Sequence, residues 1–512
     1  MRIVREIVPL VLLVSWPFIA FIATNRAQTL QLSDVLIPWA AVVFLAVVVT
    51  LVATNLLPGR PLRRVAITIG YLGLVFFSFG SLADLLVLAG IQLGTVWLGI
   101  WLVLFVATGA IAWRLSQRPA AGMVTNVVAL VLIAVPAGQL ATDGIATAER
   151  QSGTPDNVPV VEQATAPGVR PNVYWFLLDG YVRADVLARY FAHDNGPFLS
   201  FLTTNGFSIG RDSYSNYDNT TLSLTSTLAS TYQKVPDGDA PEPGTQVSIL
   251  SGFNPVVETF ASLGYRYMHA PYAGAAKTQC GGLEDRCIRA RPSGSVPLNE
   301  VQVSLLQLTP MFRIIRQLFR GAFRYDHIFV EDVMAALGPS QPGPFFVFAH
   351  ILSPHAPPRY SRDCRRLEGV DGTIDVGEGA YDPAQFRIDT ACTTHSIERA
   401  VQTILANDKS DPIIILQGDH GFKFRLPDEP VSGASLPNTG DGPFRRLAIL
   451  NAVRLPDSCR EHFTSAHSPV NTFPLVFACI RGETPALLPN RHFIRLKGSG
   501  GDLIEVRPAA PE

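Results

Sequence analysis

The first 145 residues are much more apolar than the rest of the chain, and this asymmetry limits what the chain can fold into. A helix of about 20 apolar residues is long enough to cross the ~30 Å hydrocarbon core of a membrane. The sequence predicts five such transmembrane helices, at residues 7–24, 34–57, 66–90, 93–113 and 123–140. Asp84 is the one clear acidic interruption, and both a packed or interfacial place and a functional one stay open for it.

Arginines in the short loops between these helices predict how the chain is oriented, because cytoplasmic loops carry the excess of Arg and Lys. One side of the predicted membrane domain has seven arginines, namely Arg2, Arg5, Arg60, Arg63, Arg64, Arg114 and Arg118. The opposite side has only Arg26. We therefore predict a multi-pass cell (inner) membrane protein with a cytoplasmic N-terminus. Five crossings then place everything after residue 145 in the periplasm or outside the cell.

Cysteine usage agrees with an exported second half. All six cysteines follow residue 145, and an even number in an oxidising compartment predicts disulfides. Sequence order suggests the pairs Cys280–Cys287, Cys364–Cys392 and Cys459–Cys479, although six cysteines allow many pairings. A zinc site built from cysteines is less favoured, since the chain has no CxxC spacing.

The length of 512 residues predicts more than one domain. A formal net charge of -1 argues against a nucleic-acid partner, which would call for a basic surface. We divide the chain into a transmembrane domain, a polar and Pro-rich linker, a catalytic domain and a tail with one short strand: residues 1–145, 146–170, 171–495 and 496–512.

The second half of the chain contains three apolar runs of strand length: "NVYWFLLDGY" (172–181), "PFFVFAHILSPH" (344–355) and "PIIILQGDHG" (412–421). Amphipathic helical patterns at 185–207 and 395–408 lie between them. This alternation predicts an α/β domain with a mostly parallel central sheet, which binds ligands at the carboxyl ends of its strands. The residues that follow the three runs are polar and suited to such a site: Asp179, His350, His355, Asp419 and His420.

Burying the charge of an acid at the end of a strand costs free energy unless that charge is paired with an opposite one or bound to a metal. Here the acid stands beside an imidazole. Asp419 and His420 can converge on one ion only if the strand ends before them, because neighbours within a strand point to opposite faces. We expect Gly418 and Gly421 to permit the necessary turn. A helix cap by Asp419 with a surface histidine remains the alternative, and Asp179 supplies a further ligand.

A hydroxyl-rich stretch, "SNYDNTTLSLTSTLAS" (215–230), offers a nucleophile. A hydroxyl at a helix N-terminus suits phosphate chemistry, since free N–H groups and the helix dipole favour an anion there. For most of these hydroxyls, an ordinary Ser or Thr cap is the simpler interpretation. The basic amphipathic stretch "RIIRQLFRGAFR" (313–324) fits either an anionic lipid surface or, as we favour here, a solvated face.

Taken in order, these motifs resemble the alkaline phosphatase superfamily. They are similar to its membrane-anchored sulfatase-like branch, which includes lipoteichoic acid synthases and phosphoethanolamine transferases. "LLDGYVRADVL" is also similar to the opening motif of nucleotide pyrophosphatase/phosphodiesterases, and "SPVNTFPLVFACI" with "LLPNRHFIRL" to the closing segment of the branch. The resemblance covers residues 171 to 495.

The resemblance implies roles for seven residues. It implies metal ligation by Asp179, Asp419 and His420, with Thr220 as the nucleophile that also touches the metal. It implies contact with the transferred group for His355, more weakly for His350, and a second-metal ligand at His467. A mixed carboxylate and imidazole set favours Zn or Mn over Mg or Ca as the divalent ion.

Two departures limit what the resemblance implies. The two transferase groups usually have Glu where this chain has Asp179, and no CxPxR motif for formylglycine formation occurs. We expect a metal-dependent phosphotransferase that moves a head group from a membrane lipid to an envelope glycan or lipid through Thr220. The alternatives are a phospho- or sulfo-ester hydrolase and a non-catalytic envelope protein that retains the fold. The sequence leaves the oligomeric state open.

Overall fold

The computed structural model describes residues 2–24, 32–56, 61–88, 96–150, 170–233, 235, 243–271, 278, 280–289, 300–318, 327–338, 341–356, 358–367, 382–424, 426, 440–495 and 503–509. The chain forms two compact units, which we take in turn. The first comprises residues 1–156 with 298–322, and the second comprises 157–297 with 323–512.

The first unit is built from apolar helices. Its N-terminal helices are α1 (Arg2–Thr24), α2 (Leu32–Leu56), α3 (Leu62–Phe76), α4 (Phe79–Leu88), α5 (Val96–Leu115) and α6 (Ala121–Arg150). Among the described residues, four stretches are long and apolar enough to cross a membrane: Glu6–Thr24, Ser33–Leu56, Val96–Leu115 and Ala121–Leu140. These match four of the predicted spans. The side chain of Asp84 and most of the predicted linker, residues 151–169, lie outside the described residues.

The prediction of five spans is wrong at the third: the described residues contain four candidate spans, and residues 66–90 are divided where α3 ends at Phe76 and α4 begins at Phe79. Two indole groups of α5 stabilise the interruption. Trp101 donates from Nε1 to the carbonyl of Val75 at 3.2 Å, and Trp97 donates to the carbonyl of Phe79 at 3.4 Å. The carbonyl of Val75 also accepts from the amide of Ser78 at 3.2 Å, so the indole of Trp101 is a second donor to it. The two indoles are remote in sequence, so the apolar pattern of residues 66–90 does not reveal the interruption.

The second unit is an α/β domain with nine strands in its described part. They are β1 (Val173–Leu178), β2 (Phe207–Ile209), β3 (Arg266–Ala270), β4 (Arg286–Cys287), β5 (Phe345–Ile351), β6 (Ile413–Gly418), β7 (Asn451–Arg454), β8 (His492–Arg495) and β9 (Leu503–Val506). The main sheet has seven strands in the order β2-β7-β6-β1-β5-β3-β4, and β8 pairs with β9 in a separate antiparallel ribbon.

The main sheet is mostly parallel, as predicted. Strands β6, β1, β5, β3 and β4 run in one direction, and β7 is antiparallel to both of its neighbours. Leu178 at the end of β1 pairs with Ile351 of β5 and with Gly418 of β6. The three predicted apolar runs therefore end level with one another, so the residues that follow them emerge at one edge of the sheet.

Helices cover both faces of this sheet, and the side chains of β1 alternate between two separate apolar cores. The remaining helices in chain order are α7 (Ala184–Phe191), α8 (Gly196–Thr204), α9 (Thr220–Ala229), α10 (Pro243–Leu250), α11 (Pro255–Ser262), α12 (Glu300–Gln307), α13 (Pro310–Leu318), α14 (Val330–Leu337), α15 (Pro383–Asn407), α16 (Gly442–Leu447) and α17 (Thr472–Arg481). Short 3-10 helices occupy Asp457–His462 and Pro469–Asn471. Of these, α12 and α13 belong to the first unit.

The three disulfides suggested by sequence order are confirmed: Cys280–Cys287, Cys364–Cys392 and Cys459–Cys479. With all six cysteines paired, the alternative of a cysteine zinc site is removed. The carboxylate of Glu284 lies near the first pair, but thiols joined in a disulfide have no thiolate to offer a metal.

Candidate active site

Asp179 follows β1 directly and is held by backbone contacts with the loop after β5. Its amide donates to the carbonyl of Ile351 at 2.9 Å, and its carbonyl accepts from the amide of His355 at 3.0 Å. Gly180 next to it has a φ of 69°, a left-handed conformation that favours glycine. These contacts fix the buried carboxylate of Asp179 at the carboxyl edge of the sheet.

The two oxygens of the Asp419 carboxylate differ in their hydrogen bonds: one accepts from two backbone amides, and the other has no partner among the described residues. Oδ1 accepts from the amides of Gly180 and His420, each at 2.9 Å. Oδ2 is buried and has no hydrogen-bond partner among the described residues. Leaving a buried carboxylate oxygen without a partner costs free energy, so a ligand that fills this role is expected.

The glycines around Asp419 act through close backbone approach, which differs from the turn-forming role we expected of them. A Cβ atom on Gly418 would clash with the carbonyl of Tyr181, and one on Gly421 would clash with the carbonyl of Arg445. Neither glycine adopts a positive φ. The lack of a side chain at these two positions lets the Asp419–His420 loop pack directly against neighbouring chain.

His420 directs one ring nitrogen toward the two carboxylates. Its Nδ1 lies 2.7 Å from the carbonyl oxygen of Gly421, and since a carbonyl only accepts, Nδ1 carries the proton. Nε2 is then the basic nitrogen, and it lies 3.5 Å from both Oδ1 of Asp179 and Oδ2 of Asp419. Burial lowers the pKa of this imidazole, although the two carboxylates act in the opposite direction. The ring is therefore neutral and available as a ligand at neutral pH.

His350 contacts the carboxylate of Asp179 and fixes its orientation. Its Nε2 lies 3.4 Å from Oδ2 of Asp179, and its Nδ1 lies 3.0 Å from Oγ1 of Thr278. Oδ1 of Asp179 stays without a partner among the described residues. Burial opposes ionisation of Asp179, but His355, His350 and His420 outweigh it and hold its pKa below the ordinary range.

The sequence reasoning placed His350 in the substrate pocket, whereas the structure places it against the carboxylate of Asp179. Thr278 was not among the candidate residues at all. It lies in an irregular segment between β3 and β4, and nothing in the local sequence distinguishes its hydroxyl from others. An imidazole that orients a ligating carboxylate, and is itself fixed by a hydroxyl, is a common supporting arrangement around metal sites.

His355 has the same ring arrangement as His420. Its Nδ1 lies 2.7 Å from the carbonyl oxygen of Ala356, which leaves Nε2 basic. One potential ligand atom each from Asp179, His355 and His420 lie within 4.8 Å of one another. His355 is partly exposed, while Asp179 and His420 are buried. This places His355 at the open side of the cluster, where it can contact a substrate or the same ion.

Thr220 is the first residue of α9, and it is buried. Asn219 caps the helix by accepting from the amide of Leu222 at 3.0 Å. Among the described residues, the hydroxyl of Thr220 makes no hydrogen bond. The preceding Asp218 forms a buried ion pair with Arg446, whose carbonyl accepts from the amide of Gly421 at 2.8 Å. The start of α9 is thus linked to the residue that follows His420.

His467 lies outside the Asp179–His355–His420 cluster. It is buried against the ring of Phe463, with ring centroids 4.8 Å apart, and its carbonyl accepts from the side chains of Ser213 and Asn451. Burial lowers the pKa of His467 to about 4. Its role as a second-metal ligand stays a prediction, and the packing shows it as a neutral core histidine.

The cluster as a whole fits a divalent cation. Two buried carboxylate oxygens without partners, one each from Asp179 and Asp419, converge on the basic Nε2 of His420. Each of these oxygens lies 3.5 Å from that nitrogen, and two buried anionic oxygens near one point are stabilised by a positive charge placed there. Carboxylate and imidazole donors with outer hydrogen bonds already in place are typical of protein metal sites.

Residues 171–442 match the Sulfatase family model, which is more than half of the 512-residue chain. The chain belongs to the sulfatase family. It is accordingly a metal-dependent enzyme. A search of curated proteins finds no match.

Several solved structures are similar to this chain at low identity. The C-terminal periplasmic domain of EcEptC from Escherichia coli, in complex with Zn, is 12% identical with a TM-score of 0.41, and the match covers 67% of this chain and 94% of that one. The integral membrane lipooligosaccharide phosphoethanolamine transferase A (EptA) from Neisseria meningitidis is 12% identical with a TM-score of 0.38, and the match covers 93% and 95%. The phosphonate monoester hydrolase of Agrobacterium radiobacter is 12% identical with a TM-score of 0.37, and the match covers 65% and 82%. These scores carry no argument about substrate, and the family assignment depends on the family match.

Proposed function

We propose that this protein is a membrane-anchored phosphotransferase that moves a phospholipid-derived head group to a cell-envelope acceptor through a covalent intermediate on Thr220. The observation that supports it most is the pair of partnerless carboxylate oxygens of Asp179 and Asp419 around Nε2 of His420. This donor set belongs to a sulfatase-family domain whose chain also carries helices able to cross a membrane.

Asp179, Asp419 and His420 would hold the divalent ion, with Zn or Mn favoured by the mixed donor set. A cation bound there lowers the pKa of a nearby hydroxyl and stabilises charge on a phosphoryl oxygen. The protein fixes the three donors in advance. Gly180 and His420 amides hold one Asp419 oxygen, His350 holds one Asp179 oxygen, and Gly421 fixes the ring of His420.

Thr220 is the proposed nucleophile. After its hydroxyl proton has passed to solvent, Oγ1 bonds to phosphorus as the alkoxide while the bond from phosphorus to the glycerol oxygen of the lipid breaks and diacylglycerol leaves. The location of Thr220 in the first turn of α9 supports this, because free amides at a helix N-terminus stabilise the anionic phosphoryl group. An acceptor hydroxyl then attacks the same phosphorus and releases Thr220.

His355 is the proposed proton donor and acceptor. Nδ1 is committed to the carbonyl of Ala356, so proton exchange with the substrate takes place at Nε2. In its protonated form the imidazole would give this proton to the departing glycerol oxygen, and it would later remove one from the acceptor hydroxyl. The partial exposure of His355 leaves it accessible to a bound head group.

The membrane helices support a lipid as the donor, because an enzyme anchored beside a bilayer meets its head groups at high effective concentration. We propose an inner-membrane location with a cytoplasmic N-terminus and the catalytic domain outside. Arg64 at the start of α3 donates to the carbonyl of Trp113 near the end of α5 at 3.1 Å. Trp101, near the other end of α5, reaches Val75. α3 therefore runs antiparallel to α5 along most of its length.

The test is transfer from head-group-labelled lipid by the full chain in vesicles. Vesicles would contain labelled phosphatidylethanolamine or phosphatidylglycerol, with an envelope lipid or glycan extract as acceptor, with and without chelator. The proposal predicts chelator-sensitive label on the acceptor and none with the Thr220→Ala variant. Chelator-sensitive release of free phosphorylated head group without transfer would instead establish a hydrolase. Transfer that survives Thr220→Ala would contradict the proposed intermediate.

A further inference from the structure

Helices α12 and α13 lie between β4 and β5 in sequence, yet they pack with the membrane helices. We call residues 300–318, which contain both helices, the arm. Val301 and Leu305 of α12 are buried in one apolar cluster with Phe18 of α1 and Val35 of α2. The arm is therefore an integral part of the first unit and not a solvated surface helix pair.

The arm also supplies a backbone acceptor where the third predicted span is interrupted. The amide of Gly80, in the first turn of α4, donates to the carbonyl of Leu308 at 3.2 Å. The first amides of a helix have no partner within the helix, and in an apolar setting they need one from elsewhere. A Cβ atom on Gly80 would clash with the carbonyl of Gln307, so glycine is what permits this approach.

The contacts of the arm with α1 and α2 define where it lies relative to the membrane boundary. In α1 they involve Phe21 and Ile22, close to the end of that helix at Thr24, and in α2 they involve Val35 and Trp39, close to its start at Leu32. These two helix ends are joined by a short connection, so they lie at the same membrane boundary. Under the proposed orientation, this is the outer boundary.

The second helix of the arm is basic and amphipathic. Residues 301–325 contain four arginines and no acidic residue. Arg313 is exposed, and its guanidinium carbon lies 5.5 Å from the ring centroid of Phe79. Arg316 follows one turn later in α13. In the same helix, Met311 is 38% exposed and Leu318 is 71% exposed, so α13 presents apolar as well as basic side chains at its surface.

We propose that the arm is a lipid-binding element, in which Arg313 and the basic sequence that follows it bind the phosphate of anionic phospholipids at the membrane boundary. Arginine pairs well with phosphate oxygens, and basic amphipathic helices bind anionic lipid surfaces. The apolar contacts of α12 fix the depth of the arm, and the exposed apolar side chains of α13 then meet acyl chains while the guanidinium groups meet head groups. This does not depend on the proposed phosphotransfer.

Lipid selectivity of the purified full chain tests this proposal. Native mass spectrometry in detergent would compare retained dioleoyl phosphatidylglycerol with retained dioleoyl phosphatidylcholine. We expect the wild type to prefer the anionic lipid and the Arg313→Gln/Arg316→Gln variant to lose roughly tenfold or more of that preference. The Arg313→Lys/Arg316→Lys variant should keep most of it, because the charge remains. The charge-matched control is Arg211→Gln/Arg365→Gln, at two exposed positions of the second unit, and it should behave as the wild type.

A second measurement tests whether the arm is seated as described. Gly80→Ala should raise hydrogen exchange across residues 300–318, whereas Gly99→Ala should not, since a Cβ atom at Gly99 meets no atom within 4 Å. Equal lipid selectivity in the wild type and the double Gln variant would overturn the proposal. So would displacement of phosphatidylglycerol by inorganic phosphate alone, which would indicate a simple anion site.

Discussion

Nε2 of His420 lies 3.5 Å from Oδ1 of Asp179, although the two residues follow different strands of the sheet. Among the described residues, neither of these two atoms makes another hydrogen bond. The other polar atom of each side chain does: Nδ1 of His420 contacts the carbonyl of Gly421, and Oδ2 of Asp179 contacts His350. An imidazole nitrogen and a carboxylate oxygen at one buried point are the two atoms that we propose as ligands of the divalent ion.

Asp419→Asn should remove metal binding while leaving the domain folded. The amide side chain can still accept from the amides of Gly180 and His420 through its oxygen, but it replaces the partnerless anionic oxygen with a neutral NH₂ group. We expect metal affinity to fall by more than roughly 100-fold, the upper end of what losing a supporting residue costs. Elemental analysis of the purified full chain measures this. Asp363→Asn, at a 58% exposed side chain, is the control, and unchanged metal content in Asp419→Asn would contradict the assigned ligand.

His350→Ala should weaken the site more mildly, because it removes support from Asp179 and not a ligand. Without Nε2 of His350, the carboxylate of Asp179 loses the contact at 3.4 Å that fixes its orientation. We expect metal affinity to fall roughly 10- to 100-fold. A competition titration with a metal indicator gives the dissociation constant. His350→Gln should recover part of the loss if orientation is what matters, whereas His395→Gln, on the exposed surface of α15, should have no effect.

His467 should make the folded chain sensitive to acid. Burial lowers its pKa to about 4, while a histidine in the unfolded chain has its ordinary pKa near 6.5. Below pH 6.5 the unfolded state binds the proton first, so stability falls with decreasing pH down to about 4. The difference corresponds to as much as about 3 kcal/mol. Thermal unfolding of the full chain between pH 4 and pH 7 should show a shallower decline in His467→Gln than in the wild type or His395→Gln. Parallel declines in all three would contradict the effect.

The sequence alone predicted most of the catalytic fold, because apolar strands alternating with amphipathic helices have few other solutions. The register of the parallel strands then brings Asp179 level with Asp419 and His420, since polar residues after buried strands emerge at one edge. Thr220 was singled out by resemblance, because a hydroxyl at a helix start has no distinctive local pattern. The pairing of His350 with Asp179 and Thr278 depends on contacts between distant segments, and no period or motif encodes it.

In the first unit, too, contacts between distant segments could not be predicted from the sequence pattern. Hydropathy located four helices correctly, but it did not reveal the interruption after Phe76, where Trp97 and Trp101 of a distant helix donate hydrogen bonds. The basic stretch at 313–324 was interpreted as a solvated face, since an amphipathic pattern does not say which surface it meets. Its described part, which ends at Leu318, belongs to the arm whose first helix, α12, packs on α1 and α2, and the solvated face stays a prediction.

Trapping the covalent intermediate tests the central claim most directly. The full chain would be mixed with phosphatidylethanolamine or phosphatidylglycerol without an acceptor, quenched in acid, digested and analysed by mass spectrometry. The account predicts a phosphorylated head group on Thr220, absent when chelator is present and absent in Thr220→Ala. Thr221→Ala, the matched variant at the neighbouring hydroxyl, should still carry the adduct. Chelator-sensitive turnover with Thr220 unmodified, or with its Ala variant fully active, would contradict the account.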